Sequence, residues 1–211
     1  MTSSISFSTA GPGQNSKTNS PVVVLLHGYG ANEQDLPGIM QSFPGSLAWV
    51  SPRAPLVLQP GSYAWSPITV PGNPDPSDAV VATERLWKWI DENVPSESLI
   101  IPVGFSQGGM MATQLLRTRP DRILGTVILA GFNVDSNQPA DERLRTELPQ
   151  VIYCHGLEDK VVSAAAVERL TKWLETHTTA TIISYRRLGH SVDQRVLGDV
   201  SKFFTKNLGI R

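Results

Sequence analysis

Short apolar runs alternate along the chain with longer segments in which apolar residues recur at helical spacing. This alternation is typical of an α/β protein with a mainly parallel sheet and helices on both faces. The apolar runs predict strands at residues 22–26, 47–50, 98–103, 126–130, 151–154 and 181–185, and an antiparallel edge strand at 4–8. The helical pattern predicts helices near 33–42, 78–93, 107–118, 162–176 and 193–207. We expect one domain spanning residues 1–211.

One long segment, residues 51–76, does not fit this alternation. It contains seven prolines, which are too many for a helix interior or a central strand. Long loops inside compact domains are usually functional or disordered, and Tyr63, Trp65 and Ile68 give this one apolar side chains with which to pack against the body of the protein. We expect a proline-rich flap beside the functional site, in which Tyr63 and Trp65 contact the substrate. The alternative is a mobile surface loop.

Composition narrows the class of protein. Of the 211 residues 40% are hydrophobic and 18% charged, and the formal net charge is −1, so nothing in the bulk electrostatics favours a nucleic acid partner. The chain starts with the polar stretch MTSSISFSTA, and no apolar run approaches the length of a membrane helix. We therefore expect a cytoplasmic protein that does not insert stably into membranes. Cys154 lies in an apolar run and is expected to be buried and inert.

The stretch GFSQGG places Ser106 between a predicted strand and a predicted helix. Glycines on both sides let the chain turn sharply, so the serine stands free of the sheet and the helix N-terminus points its N–H groups toward a developing oxyanion. A serine hydroxyl is a weak nucleophile unless a base activates it and a third group orients that base. Ser106 therefore requires a histidine and a carboxylate nearby.

Of the four histidines, His190 fits the role of base best. It lies after the last predicted strand and before the last helix, where a loop brings its ring over the sheet edge. His177 closes a helix, and His27 and His155 each precede a glycine and are expected to bond to backbone in their turns. In folds with a strand–serine–helix turn the triad runs Ser, Asp or Glu, His, and Ser106, Asp159 and His190 follow this order.

The loop after the first predicted parallel strand reads HGYGAN. The second oxyanion N–H comes from this loop in such folds, the first being the amide that follows the nucleophile, here Gln107. A glycine-rich turn after a strand also occurs in dinucleotide-binding proteins. That reading fails because Glu33 occupies the position of the third glycine, which also argues against an oxidoreductase.

These residues together resemble the phospholipase/carboxylesterase group of α/β-hydrolase serine esterases, which includes the acyl-protein thioesterases. The matching blocks are LLHGYG from Leu25, SPRAP from Ser51, Trp65, GFSQGGMMA from Gly104, HGLEDKVV from His155 and GHSV from Gly189, in the family's order. The resemblance implies an α/β-hydrolase fold, with Ser106 as nucleophile, Asp159 as acid, His190 as base, and the amides of Tyr29 and Gln107 as the oxyanion hole. It implies no metal and no cofactor.

Two features of the sequence depart from the family or limit the fold. Pro102 lies in the strand before the nucleophile, where relatives carry an aliphatic residue, and we expect a local bulge there. The segment from Phe132 to Pro149, in which many relatives insert a helical cap, is too short for one. We therefore expect no inserted cap domain, and the proline-rich flap is expected to govern access to the site.

The predicted function is hydrolysis of a small-molecule carboxylic ester, or of an acyl thioester, through an acyl-serine. A long-chain acyl thioesterase or lysophospholipase is the alternative within the hydrolases. A non-catalytic binding module on the same fold is the alternative from another class, and it is disfavoured because nucleophile, acid and base are all present.

Overall fold

The structure is a computed structural model that describes residues 5, 8–11, 20–45, 47–70 and 72–210. Within these residues seven strands form one sheet, and a two-stranded hairpin lies apart from it. The strands of the sheet are β1 (Ser8–Ala10), β2 (Val22–Leu26), β3 (Ala48–Pro52), β6 (Ile100–Phe105), β7 (Thr126–Leu129), β8 (Gln150–Gly156) and β9 (Thr179–Tyr185). The hairpin is formed by β4 (Leu56–Gln59) and β5 (Ser62–Ala64).

The strand order in the sheet is β1-β3-β2-β6-β7-β8-β9. All pairs are parallel except β1 with β3. The chain moves from β2 outward to β3 and then crosses back to β6 on the other side of β2. The loops that follow β2 and β6 therefore diverge and open a crevice at the carboxyl ends of these strands, which is where open α/β sheets bind ligands.

Five α-helices are present among the described residues: α1 (Pro76–Asn93), α2 (Gln107–Thr118), α3 (Asp141–Glu147), α4 (Ala164–His177) and α5 (Gln194–Lys206). The six predicted strands from residue 22 onward and four of the five predicted helices are confirmed, with ends that differ by a few residues. The edge strand expected at 4–8 falls mostly outside the described residues. The strand described nearby, β1, begins at Ser8.

The sheet is buried on both faces, as its nearly continuous apolar strands indicate. Along β2, Val22, Val24 and Leu26 pack in one core cluster, and Val23 and Leu25 pack in the other, because successive side chains point to opposite faces. Helices α1, α2 and α4 contribute to the first cluster and α5 to the second. The prediction of a mainly parallel sheet covered by helices on both faces is confirmed.

The helix predicted near 33–42 is wrong in type and extent. The structure has a short 3₁₀ helix at Pro37–Ser42 instead. An α-helix starting at residue 33 would place Pro37 in its interior, where proline lacks the N–H and its ring clashes with the carbonyl of the residue four positions earlier. Proline at the first position of a helix avoids both problems.

The segment 51–76 contains more regular structure than predicted. Its first residues complete β3, and β4 and β5 form an antiparallel hairpin inside it. The prolines flank these strands, and Pro60-Gly61 occupies the centre of the connecting turn, where Gly61 has φ of 80°. Proline followed by a glycine with positive φ is the signature of a type II turn.

Pro102 lies within β6 without the bulge that the sequence suggested. The register between β2 and β6 runs unshifted from Val22↔Ile100 to Leu26↔Gly104. Ile100 O accepts from Leu124 N on the side of β7, so alternation turns the proline nitrogen toward the same side. Pairing with β7 begins one residue later, at Val103↔Val127, so the missing donor falls just before that ladder starts.

The segment between β7 and β8 carries only the short helix α3, which packs beside α4. The expectation of no inserted cap domain holds for this segment, because between β7 and β8 it forms only loops and the seven-residue helix α3. In the described part of the chain, no helix combines the length and the apolar character that crossing a bilayer requires.

Candidate active site

Ser106 occupies the sharp turn between β6 and α2. Its φ of 54° and ψ of −116° lie in a region that residues other than glycine rarely adopt, and its N–H donates to Leu129 O at 2.9 Å. The flanking glycines are required by close packing: a Cβ on Gly104 would lie 2.0 Å from Gly108 O, and one on Gly108 would lie 1.8 Å from Leu26 O. The turn therefore seats the start of α2 directly against the end of β2.

His190 links Ser106 to Asp159. Its Nε2 lies 2.8 Å from Ser106 Oγ, and its Nδ1 lies 2.7 Å from Asp159 Oδ2. The Phe105 ring packs against the imidazole, with 4.9 Å between ring centroids. These contacts orient the ring so that one nitrogen faces the serine and the other faces the carboxylate, as acid–base transfer through a histidine requires.

Both oxygens of the Asp159 carboxylate are bonded. While Oδ2 faces His190, Oδ1 accepts from the N–H groups of Val161 and Val162, at 2.7 and 3.0 Å. The side chain is only 4% exposed, although its neighbour Glu158 is exposed. The loop after β8 therefore turns one of the two adjacent carboxylates toward the imidazole and leaves the other in solvent.

The amides of Tyr29 and Gln107 lie on the two loops that border the crevice. Gln107 is the first residue of α2, and Tyr29 lies in the loop that follows β2. Neither N–H donates to an acceptor among the described residues, whereas the next amide along the loop, Gly30 N, donates to Tyr63 O at 2.8 Å. Tyr29 and Ser106 line the same cavity and Gln107 follows Ser106 in the chain, so these two amides are candidate donors to an oxyanion.

A cavity of about 370 Å³ opens beside Ser106 and His190, and its lining is mainly apolar. Its walls come from several separate parts of the chain: the loop after β2, the segment before α1, the ends of β6 and β7, the loop after Asp159, and the loop after β9. The lining residues are Gly28, Tyr29, Ala31, Asp35, Ile68, Gly72, Phe105, Ser106, Phe132, Val161, Val162 and His190. Such a cavity fits the hydrocarbon part of an acyl group.

The sequence of the chain identifies its family. A sequence model described as Phospholipase/Carboxylesterase matches residues 13–208. The chain belongs to this family. Its members are esterase-type hydrolases that act on small-molecule esters, so the site described above lies in a hydrolase of this family, as the sequence resemblance predicted.

Several proteins are similar to this member of the phospholipase/carboxylesterase family over most of its length. MhqD of Bacillus subtilis (strain 168) is 26% identical over 186 residues, which span 84% of this chain and 88% of MhqD. Among solved structures, the Bacillus cereus carboxylesterase superposes with a TM-score of 0.77 at 23% identity, covering 94% of this chain and 93% of that one. Zea mays acyl-protein thioesterase 2 gives a TM-score of 0.71 at 20% identity, with coverages of 96% and 99%. The two structural likenesses confirm the α/β-hydrolase fold.

Tyr63 and Trp65, which the sequence suggested as substrate contacts, do not line the cavity of this family member. Trp65 is 1% exposed and packs beneath the loop that carries Tyr29, and the Arg53 guanidinium covers the Tyr63 ring at 4.6 Å. The segment 51–76 instead contributes Ile68 and Gly72 to the cavity wall. Sequence reasoning missed Phe132, Val161 and Val162, although each follows a strand end or the acid and thus lies on the carboxyl edge.

The other three histidines and the single cysteine have structural partners among the described residues, His155 Nε2 lying 2.9 Å from Ser184 Oγ. Burial lowers the pKa of His27, whose Nδ1–H donates to Gly28 O and whose Nε2 accepts from Ala54 N, so the ring is neutral. His177 Nδ1 bonds to Trp173 O within α4, as expected of a helix-ending histidine. Burial raises the pKa of the Cys154 thiol to about 12, so it stays protonated.

A second cavity, of about 460 Å³, is larger but lies between α3 and α4, away from Ser106. Its one buried arginine, Arg117, is already paired with Asp141 and two backbone carbonyls, whereas the buried Nε1 of Trp173 in its wall has no acceptor among the described residues. Within the described residues, no group of three or more His, Cys, Asp and Glu side chains is arranged to hold a metal ion. The cavity beside Ser106 is therefore the candidate functional site.

Proposed function

We propose that this family member is a serine carboxylesterase that hydrolyses carboxylic esters through an acyl-serine intermediate. Ser106 is the nucleophile, His190 the general base and acid, and Asp159 the group that orients the imidazole. The single observation that carries the proposal is the continuous chain of short contacts from Asp159 through His190 to Ser106, at 2.7 and 2.8 Å. A serine hydroxyl paired in this way with an oriented base is an activated nucleophile.

The first half of the reaction acylates the enzyme. Ser106 Oγ attacks the ester carbonyl carbon while His190 Nε2 takes the hydroxyl proton, and Asp159 stabilises the resulting imidazolium. The oxygen of the tetrahedral intermediate becomes negatively charged and accepts from the amides of Tyr29 and Gln107. When the intermediate collapses, the bond to the alcohol oxygen breaks, and the alcohol leaves with the proton from His190.

The second half releases the acid. A water molecule attacks the acyl-serine carbonyl carbon while His190 takes one of its protons, and the same two amides again receive the oxyanion. Collapse breaks the bond to Ser106 Oγ, which recovers the proton from His190. The acyl group lies in the apolar cavity during both halves of the reaction, so the cavity selects among acyl groups by their shape and length.

Active-site labelling tests the proposal. A fluorophosphonate reacts only with a hydroxyl that a base has activated, so it is expected to phosphonylate wild-type protein at Ser106, as located by peptide mass spectrometry. The Ser106→Ala variant is expected to show neither labelling nor p-nitrophenyl ester hydrolysis. Labelling that persists in this variant would remove Ser106 from the mechanism, and an unlabelled wild-type protein would favour a non-catalytic binding module.

A long-chain acyl thioesterase or lysophospholipase is the second candidate. The mainly apolar cavity and the structural likeness to a plant acyl-protein thioesterase support it. A thioester carbonyl would react with the same groups, the thiol leaving in place of the alcohol. Comparing kcat/KM for an ester and a thioester that carry the same acyl chain decides between the candidates, because the cavity contribution is then equal.

A further inference from the structure

The side chain of Gln107 ties the nucleophile turn to the segment that follows the β4–β5 hairpin. Its Oε1 accepts from Trp65 N at 2.9 Å, and its Nε2 donates to Ser66 O at 2.8 Å and to Ser66 Oγ at 3.2 Å. Gln107 and Trp65 are each 1% exposed and Ser66 is 2% exposed. The buried side chain of Gln107 therefore fixes the position of a residue whose backbone amide is one of the two oxyanion donors.

Trp65 also holds the loop that carries the other oxyanion amide. Its Nε1–H donates to His27 O at 2.9 Å, and its indole packs against the His27 ring with 5.3 Å between centroids. His27 lies two residues before Tyr29. On the far side of Tyr29, Tyr63 accepts from Gly30 N at 2.8 Å and donates from its own amide to Ala31 O at 2.9 Å.

These bonds give Tyr29 fixed neighbours on both sides and connect them, through Trp65, to Gln107. The two oxyanion donors come from loops after different strands, and the chain 63–66 is the piece of backbone that bonds to both loops. An oxyanion is stabilised only by donors within about 2.7–3.1 Å of the position it will occupy, so the separation of the two amides matters for catalysis.

We propose that Trp65 and the side chain of Gln107 are positioning residues that set the separation between the oxyanion amides of Tyr29 and Gln107. This role rests on the proposed function. It replaces the expectation that Trp65 contacts substrate, because its N–H groups are used by His27 and Gln107 and its ring is buried.

The test compares two pairs of matched variants. Trp65→Phe removes the indole N–H that bonds to the loop carrying Tyr29. Trp87→Phe removes another indole N–H, which donates to Thr118 Oγ1 at 2.8 Å, far from the site. Gln107→Met and Gln114→Met each remove a buried amide from α2, and only the first contacts Trp65 and Ser66. Both tryptophans and both glutamines are buried, so each pair shares the cost of altering a packed side chain.

Measurements on a p-nitrophenyl ester separate positioning from stability. We expect Trp65→Phe and Gln107→Met each to lower kcat by about 10- to 100-fold, since misplacing a reacting group by about 1 Å costs this much. KM should change by less than about threefold, because ground-state binding does not use the oxyanion donors. The Ki of a trifluoromethyl ketone, which forms a tetrahedral adduct, should rise by the same factor as kcat/KM falls. The shape of the pH profile should stay the same.

The control variants are expected to leave kcat, KM and Ki unchanged, even where they change the unfolding temperature. A Trp65→Phe variant that behaves like Trp87→Phe would overturn the positioning role, and a rise in KM alone would return Trp65 to substrate binding. Fluorophosphonate labelling of wild-type protein is run in parallel. Labelled wild type with an unaffected Trp65→Phe kcat overturns only this inference, whereas unlabelled wild type overturns the proposed function and the inference together.

Discussion

The backbone at Ser106 combines a strained conformation with neighbours that have no room to yield. Its φ of 54° is of a kind that costs about 1–3 kcal/mol and persists only when the surrounding structure imposes it. Here the constraint is the contact of Gly108 with the carbonyls of Leu26 and His27, and of Gly104 with Gly108. A single carbon atom added at Gly104 or Gly108 therefore decides whether the turn can form.

Substituting Gly108 by Ala is expected to destabilise the protein by several kcal/mol and to abolish activity. The added Cβ would lie 1.8 Å from the backbone oxygen of Leu26, which cannot move without displacing β2. Gly198 provides the control, since it lies on the exposed face of α5 and its Cβ would meet nothing within 4 Å.

Gly198→Ala should stabilise the helix by about 0.5–1 kcal/mol through the higher helix propensity of alanine. Urea unfolding of both variants gives the two free energies. Equal effects of the two substitutions would contradict the requirement for glycine at the nucleophile turn.

The adjacent carboxylates Glu158 and Asp159 permit a matched test of which one orients His190. Asp159→Asn should lower kcat by about four orders of magnitude with the fold intact, because an amide holds the imidazole in the wrong tautomer. Glu158→Gln should lower kcat by less than about tenfold, since an exposed charge near the site changes the barrier by roughly 1 kcal/mol or less.

Both variants are compared for kcat on one ester, with circular dichroism as the check on folding. If Glu158→Gln were the crippled enzyme and Asp159→Asn nearly normal, the roles assigned to the loop after β8 would have to be exchanged.

At the scale of elements, α4 holds two separate walls of the cavity beside Ser106 in place. Arg169 on this helix donates to Gly72 O at 2.6 Å and to the side-chain and backbone oxygens of Asn133 at 3.2 and 3.1 Å. Gly72 and Phe132, the neighbour of Asn133, both line the cavity. The helix itself contributes no lining residue, so its effect on the cavity passes through these bonds.

Replacing Arg169 by Met is expected to raise KM several-fold while kcat changes less than about twofold, because the cavity walls loosen but the reacting groups stay in place. The free energy of unfolding should fall by about 1–3 kcal/mol, since buried acceptors lose their donor. Arg143→Met on α3, which breaks an exposed pair with Asp121, is the control.

The control should cost less than about 1 kcal/mol and leave KM unchanged. A fall in kcat at constant KM in Arg169→Met would contradict this division between wall and reacting groups.

In two segments the local sequence pattern predicted the wrong secondary structure. The apolar residues near 33–42 have helical spacing, but Pro37 restricts the segment to a 3₁₀ helix, and Leu36, Ile39, Met40 and Phe43 still pack in the core next to α5. The prolines of 51–76 suggested a segment without regular structure, yet Pro60-Gly61 forms the turn of a hairpin. In both cases the position of each proline mattered more than the number of prolines.

At the scale of the whole molecule, the site lies where the strand order reverses between β2 and β6. This reversal brings the loop after β2 beside the Ser106 turn after β6, and the loops after β8 and β9, which carry Asp159 and His190, lie at the same edge of the sheet. The cavity between them has a volume of about 370 Å³, near the lower end of the range of about 300–1,000 Å³ for small-molecule sites.

This volume predicts a preference for short and medium acyl chains. Across p-nitrophenyl esters from acetate to palmitate, kcat/KM should rise to a maximum between butyrate and octanoate and then fall for palmitate. The rise follows from burial of methylene groups, each worth about 0.8 kcal/mol, and the fall from chain that extends beyond the cavity. A kcat/KM that still increases at palmitate would favour the long-chain thioesterase or lysophospholipase.

The sequence by itself determined the fold class and the candidate chemistry. Apolar runs and helical spacing report burial on one or both faces of an element, a local property, so most strands and helices followed from them. The blocks around Ser106, Asp159 and His190 carried the candidate triad because chain order and the loops after strands restrict where such residues lie. Only the tertiary structure decided which residues the segment 51–76 contacts. Trp65 bonds to Gln107 and His27, 42 and 38 residues away in the chain, and no local pattern encodes a partner at that separation.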